Sequence, residues 1–333
     1  MLAVCAIVLA GLVVGLVAVT NEHARERTSQ TLTVRHTTQS DAPARPTSTA
    51  RAQPPLQPAK PPFAVAERTV RLVDHRRHIR LPNGSLRPRP LITLVRYPTA
   101  RPGQAAPRRP FPLIVFGHGY TLTPRPYVRL LDAWTRAGYV VAAPVFPLEN
   151  ANAPGGPNEA DLINQPADMS FVISSLLALS ASRHGDLEHL IDPAKVAVAG
   201  HSDGGETALA VAYDFGYKDP RVRAAVILSG AKLPGADGFA FTPQSPPLLA
   251  VQGTADDINP EHFTLEFYDA APPPKYLLRL FGAGHLEPYT TEPQLGVVAR
   301  VTTAFLDRYL NGAARDLAKL GDVSGVSSLT GNP

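Results

Sequence analysis

A single cysteine, Cys5, stands among the 333 residues. One thiol cannot close an intramolecular disulfide, and it rules out a metal site built on several cysteines. Stability must therefore come from packing. Charge is also scarce, at 18% of residues, while 44% are apolar, a balance that fits a globular core and not a disordered chain. The net charge of +4 is unevenly spread: residues 1–110 hold 17 Lys/Arg against 5 Asp/Glu, and residues 111–333 hold 15 against 23. The basic residues of the first part are scattered beside prolines instead of being interleaved with aromatics, so no nucleic-acid surface is expected. No internal repeat is present.

The chain begins with an uncharged apolar stretch, "MLAVCAIVLAGLVVGLVAVT" (1–20), long enough to cross a bilayer as a helix. It is expected to be a signal peptide or signal anchor. It has no basic n-region, which points either to a start further upstream or to an uncleaved anchor. Residues 21–63, rich in Pro, Thr, Ala, Gln and Arg, have too few large apolar residues to offset chain entropy and are expected to form a disordered linker. Together these segments place the following domain outside the cytoplasm, membrane-anchored or secreted. Membrane contact is expected only through the apolar segment if it stays uncleaved, and the catalytic domain is expected to be monomeric.

From residue 64 the pattern becomes globular. "RTVRLVD" and "RPLITLVRYP" alternate apolar and polar positions around the "LPNGS" turn, as an antiparallel edge pair would. Six short apolar runs follow, at 112–117, 139–146, 195–200, 223–230, 247–253 and 275–282, of the kind that sits in strands buried on both faces. Helical patterns separate most of them. Alternating strand and helix predicts an α/β fold with a doubly wound, mostly parallel sheet covered by helices on both faces. The domain is expected over 64–315, with residues 316–333 as a C-terminal tail. The connections at 147–166 and 231–246 are too short, and too rich in Gly and Pro, to fold as a large cap.

One turn within this pattern bears chemistry. "KVAVAGHSDGGETALAVA" (195–212) runs from a β-branched strand through Gly200-His201-Ser202-Asp203-Gly204 into a small-residue helix. A G-x-S-x-G match between a buried strand and a helix is the setting in which a strained turn lifts a serine hydroxyl clear of the sheet. A nucleophilic serine needs a base. In the chain order Ser, then acid, then His, only His262 and His285 follow the acids near residue 256. His262 lies too close to those acids in sequence to reach across to Ser202, whereas His285 sits on a glycine-rich loop after the last core strand. Asp256 is the expected acid, with Asp257 open as the alternative or as a helix cap. The backbone N–H groups of Asp203, just after the nucleophile, and of Tyr120, after the first parallel strand, are expected to stabilise an oxyanion. His118 is expected to brace its loop, Trp134 to pack in the core, and Asp168 to pin a helix start.

The set "FGHGYT", "GHSDGG", "GTADDINP" and "GAGHLEP", in this order, resembles the α/β-hydrolase superfamily. Within it the chain is similar to the branch that holds dienelactone hydrolases, platelet-activating-factor acetylhydrolases, chlorophyllases and cutinase-like polyester hydrolases. The resemblance covers about residues 64–315 and implies Ser202, Asp256 and His285 as a catalytic triad, with the Tyr120 and Asp203 amides as oxyanion hole. It implies no cofactor and no metal. The expected activity is serine carboxylic-ester hydrolysis on short to medium acyl esters, with bulky or polymeric esters as further substrates. An extracytoplasmic acyltransferase with the same triad, a cutinase-like polyester hydrolase and a non-catalytic binding protein are the alternatives. Asp203 stands where cutinase-like polyester hydrolases usually place Met, and no cysteine is present to act as the nucleophile of a dienelactone hydrolase proper.

Overall fold

Nine strands hydrogen-bond into one sheet in the order β1-β2-β4-β3-β5-β6-β7-β8-β9. The structure is a computed structural model, and it describes residues 60–333 apart from 109, 184, 186, 237, 314 and 315. The apolar segment 1–20, with Cys5, and the linker up to residue 59 lie outside the described residues. β1 (Ala64–Arg80) and β2 (Leu86–Thr99) form the expected antiparallel edge pair. β3 (Phe111–Gly117), β4 (Val140–Val145), β5 (Ile191–His201), β6 (Val222–Leu228), β7 (Leu248–Gly253) and β8 (Lys275–Leu280) form the parallel centre.

Residues in these strands alternate between two cores, which is why the runs read as continuously apolar. Leu113, Val115, Val196 and Val198 face the core covered by α2 (Gln165–Ala181) and α3 (Asp203–Tyr213). Ile114, Phe116, Ala197 and Ala199 face the opposite core, under α1 (Val128–Ala137) and α5 (Gln294–Asn311). Trp134 is fully buried there, and its indole N–H donates to Thr302 Oγ1 at 2.8 Å. α4 (Glu261–Ala270) follows β7. The connection from β6 to β7 has no helix among the described residues, and that from β4 to α2 has only a short 3-10 turn at Glu159–Asn164, in agreement with the expected lack of a cap.

Both expected domain limits move outward. Phe63, assigned to the linker, is buried and packs edge-on against Phe111 at 5.8 Å, while its amide donates to Arg136 O. The segment expected as a tail contains α6 (Leu317–Gly321) and β9 (Ser327–Asn332), which pairs antiparallel with β8 and closes that edge of the sheet. "SSLTGN" is polar and short because an edge strand needs only one apolar face, so it lacks the double-sided signature of the central strands.

The helix carrying Asp168 is pinned across layers and not merely at its own start. Arg89 on β2 donates from Nε and Nη2 to Asp168 at 2.7 and 2.6 Å, and from Nη1 and Nη2 to Asp161 at 3.0 and 2.6 Å. All three side chains are almost wholly buried. Arg77 Nη1 also reaches Asp168 Oδ1 at 2.7 Å, so removing Arg89 leaves Asp161 without its counterion in the interior, and Arg89→Leu is expected to lower unfolding free energy by about 3–5 kcal/mol in urea titration. A loss below about 1 kcal/mol would show that the two carboxylates find other partners or take up protons.

Candidate active site

β5 ends in a turn that few residues tolerate. Ser202 has φ 56° and ψ −126°, a positive-φ conformation that costs a non-glycine residue of order 1–3 kcal/mol and persists only where the surroundings impose it. Here they do: the Ser202 amide donates to Leu228 O on β6, and its carbonyl accepts from the Glu206 amide in the first turn of α3. The flanking glycines answer a steric demand. A Cβ on Gly200 would lie 1.9 Å from Gly204 O, and one on Gly204 would lie 2.2 Å from Gly117 O. Only glycine lets α3 start this close to β3 and β5.

The residue before the serine was not singled out by sequence reasoning. His201 is buried, accepts at Nδ1 from Tyr127 Oη at 2.7 Å and donates from Nε2 to His285 O at 2.8 Å. Its ring centre lies 4.6 Å from that of His285. Burial, followed by the neighbouring His285, lowers its pKa to about 3, so the ring is a neutral brace that ties the His285 loop to the serine turn. His118 behaves as expected: Nδ1 donates to Gly119 O at 2.9 Å and Nε2 accepts from the Phe146 amide at 3.0 Å. Burial holds its pKa at about 4, again a neutral structural ring.

His285 meets Asp256, not Asp257. Its Nδ1 donates to both oxygens of Asp256, at 3.0 and 2.9 Å. Asp256 Oδ1 also accepts the amides of Ile258 at 3.1 Å and Asn259 at 2.9 Å, and Oδ2 accepts Gln252 Nε2 at 3.3 Å. Burial pushes the Asp256 carboxyl up, but the bonds from His285 and the Asn259 amide outweigh it and hold the group below its ordinary value. Asp257 points to solvent and does not cap α4, which starts after Pro260 without a side-chain cap. His262 is exposed on α4 with its ring against Phe263.

The Ser202 hydroxyl is oriented toward Asp203 Oδ1, at 3.5 Å, and makes no hydrogen bond to His285 among the described residues. Serine–base bonds in unliganded sites are often long and tighten when substrate arrives. Asp203 opens α3, where its backbone N–H has no partner within the helix. Tyr120 lies in the loop after β3, which is fastened to the loop after β4: Thr121 N donates to Glu149 O at 2.8 Å and Ala151 N to Thr121 O at 3.1 Å. A hydroxyl at a strained turn, an imidazole oriented by a buried carboxylate, and two loop and helix-start amides are the parts needed for acyl transfer. No cluster of His, Cys, Asp and Glu that could hold a metal ion occurs among the described residues.

A comparison with family models matches residues 80–247 to chlorophyllase. The matched span runs from the end of β1 to the start of β7, so it includes Tyr120, Ser202 and Asp203, while Asp256 and His285 lie beyond it. No curated protein matches the chain.

Proposed function

The chain belongs to the chlorophyllase family of α/β-hydrolases, and on that premise, which points to an ester hydrolase, we propose that it is a serine carboxylic-ester hydrolase acting through an acyl-enzyme. The observation that carries this reading is the Ser202 turn, held at positive φ where β5 meets α3 and tied through His201 to the loop of the Asp256–His285 pair. Ser202 Oγ attacks the ester carbonyl while His285 takes its proton. The Tyr120 and Asp203 amides receive the charge that develops on the carbonyl oxygen. His285 then returns the proton to the departing alkoxide, and water, activated by the same ring, releases the acid. Asp256 keeps the imidazole in the tautomer with Nδ1 protonated. The apolar segment 1–20 supports an extracytoplasmic location, anchored or secreted.

The substrates are short to medium acyl esters. With no cap over the sheet among the described residues, a long acyl chain is left without a tunnel in which to gain the roughly 0.8 kcal/mol that each buried methylene contributes. Across p-nitrophenyl esters, kcat/KM is expected to peak between acetate and octanoate and to fall by palmitate, with no jump in rate at a lipid interface. A preference that keeps rising to palmitate overturns the open-groove reading. Covalent labelling of Ser202 by a fluorophosphonate tests the nucleophile itself, and product analysis with an added alcohol separates hydrolysis from acyl transfer.

A further inference from the structure

Two carboxyl groups beside Ser202 have no place in the reaction described so far. Glu149, in the loop after β4, is fully buried, and Asp203, the first residue of α3, is 8% exposed. Two of their four oxygens have a donor. Gln165 Nε2 on α2 donates to Glu149 Oε2, and the Gln165 carbonyl is itself held by Thr207 Oγ1 on α3 at 2.9 Å. The Ser202 hydroxyl is the donor toward Asp203 Oδ1. What remains is Glu149 Oε1 and Asp203 Oδ2, both buried and both without a donor among the described residues. The two carboxyl groups are close enough for the charge of one to act on the other. Leaving a buried acceptor unsatisfied costs about 1–3 kcal/mol, and more for a charged group, whereas one proton between the two satisfies both.

We propose that Glu149 is a positioning residue for the reaction at Ser202, its carboxyl sharing one proton with that of Asp203 so that the two segments of the oxyanion hole are clamped together and carry one negative charge instead of two. The proposal rests on the ester-hydrolase reading above. Glu149 reaches both sides: its backbone carbonyl accepts from Thr121, next to Tyr120, and its unpartnered Oε1 is the atom to which a shared proton would tie the equally unpartnered Asp203 Oδ2. The charge resides on Asp203, where the start of α3 and the Ser202 hydroxyl favour it, and the proton on Glu149. Burial first, then the charge on Asp203, pushes the Glu149 carboxyl up to about 9.

The other groups that face the pair are mostly acidic. Glu159 and Asp161 approach from the 3-10 turn, Glu206 from α3, and Tyr120 and Tyr127 from the segment after β3. The Arg89 guanidinium is occupied by Asp161 and Asp168. A second negative charge here faces the spot where the oxyanion forms, so it opposes the transition state. The sign follows: below the upper titration of the pair the shared proton is bound and turnover is unhindered, and above it kcat/KM falls.

In the full-length protein, kcat/KM for a short p-nitrophenyl ester is expected to fall about tenfold per pH unit above roughly pH 9, and Glu149→Gln is expected to remove that fall. The glutamine keeps both bonds, its carbonyl toward Gln165 and its NH2 toward Asp203, but binds no titrating proton. Asp203→Asn, the reciprocal change, should remove the same limb. Thermal unfolding of each variant at neutral pH checks that the fold is retained. Glu206 is buried too, and burial followed by the charges of Asp203 and Glu159 raises it to about 8, so Glu206→Gln is the control. If Glu206→Gln abolishes the limb and Glu149→Gln does not, or if the wild-type protein has no such limb, the proposal fails. Infrared spectroscopy reads the proton without any substrate: in the Glu206→Gln background a protonated-carboxyl band at neutral pH should vanish on adding Glu149→Gln. A missing band refutes the shared proton even in an active enzyme. A band that behaves as expected in a protein that hydrolyses no ester refutes the hydrolase reading alone.

Discussion

Ser202→Ala is expected to lower kcat/KM for p-nitrophenyl acetate by on the order of 10⁴ to 10⁶ while leaving the thermal midpoint unchanged within a few degrees. The loss is large because in the proposed mechanism Ser202 Oγ supplies the attacking oxygen, and without it His285 can activate only water. The fold survives because the hydroxyl carries little of it. Among the described residues its one hydrogen bond is the long 3.5 Å approach to Asp203, while the turn is held by backbone bonds to Leu228 and Glu206 and by the glycines around it. Alanine meets the positive φ at about the same cost as serine, since both carry a Cβ. The variant should also fail to react with a fluorophosphonate. A folded Ser202→Ala protein that keeps more than about a hundredth of wild-type turnover would remove Ser202 from the mechanism.

Asp256→Asn is expected to reduce the rate by about 10³ to 10⁴, and Asp257→Asn by less than about tenfold. The two residues are adjacent and chemically identical, so the difference is a test of geometry alone. Asparagine at 256 can still accept the Ile258 and Asn259 amides through its carbonyl. It then turns its NH2 toward His285 Nδ1, which drives the proton to the other ring nitrogen and leaves no lone pair to take the Ser202 proton. At 257 the carboxylate is in solvent and caps nothing, so its charge is screened and its removal changes little. Circular dichroism on both variants guards against local unfolding of the 254–260 loop. The reverse ranking would transfer the role to Asp257.

The choice between those two aspartates shows where the sequence stops being sufficient. "GTADDINP" places two acids after β7, but which one turns inward depends on the Asx-type turn that Asp256 makes with Ile258 and Asn259, and on Gln252 beneath it. Gln252 is itself held by Thr264 on α4 at 2.7 Å, twelve residues away. No periodicity records such a preference. The central strands were legible because each is buried on both faces and reads as a short apolar run. The edge strand β9 was not, because burial on one face leaves half its positions polar.

By itself the sequence determined the layered α/β architecture, the serine turn and the histidine that follows it, since each depends on local rules: strand burial, steric exclusion of side chains by closely packed backbone, and chain order. Tertiary structure alone decided which loops meet. His201 as the tie between the serine turn and the His285 loop, Arg89 as the counterion of Asp161 and Asp168, and Gln165 on α2 as the side chain held by Thr207 on α3 all join residues 40 or more positions apart. Before folding, "PLEN" carries a glutamate like any surface glutamate. Only when the loop after β4 is pressed against α2 and α3 does that carboxyl lose its water, and with the water lost it must find a proton or a donor.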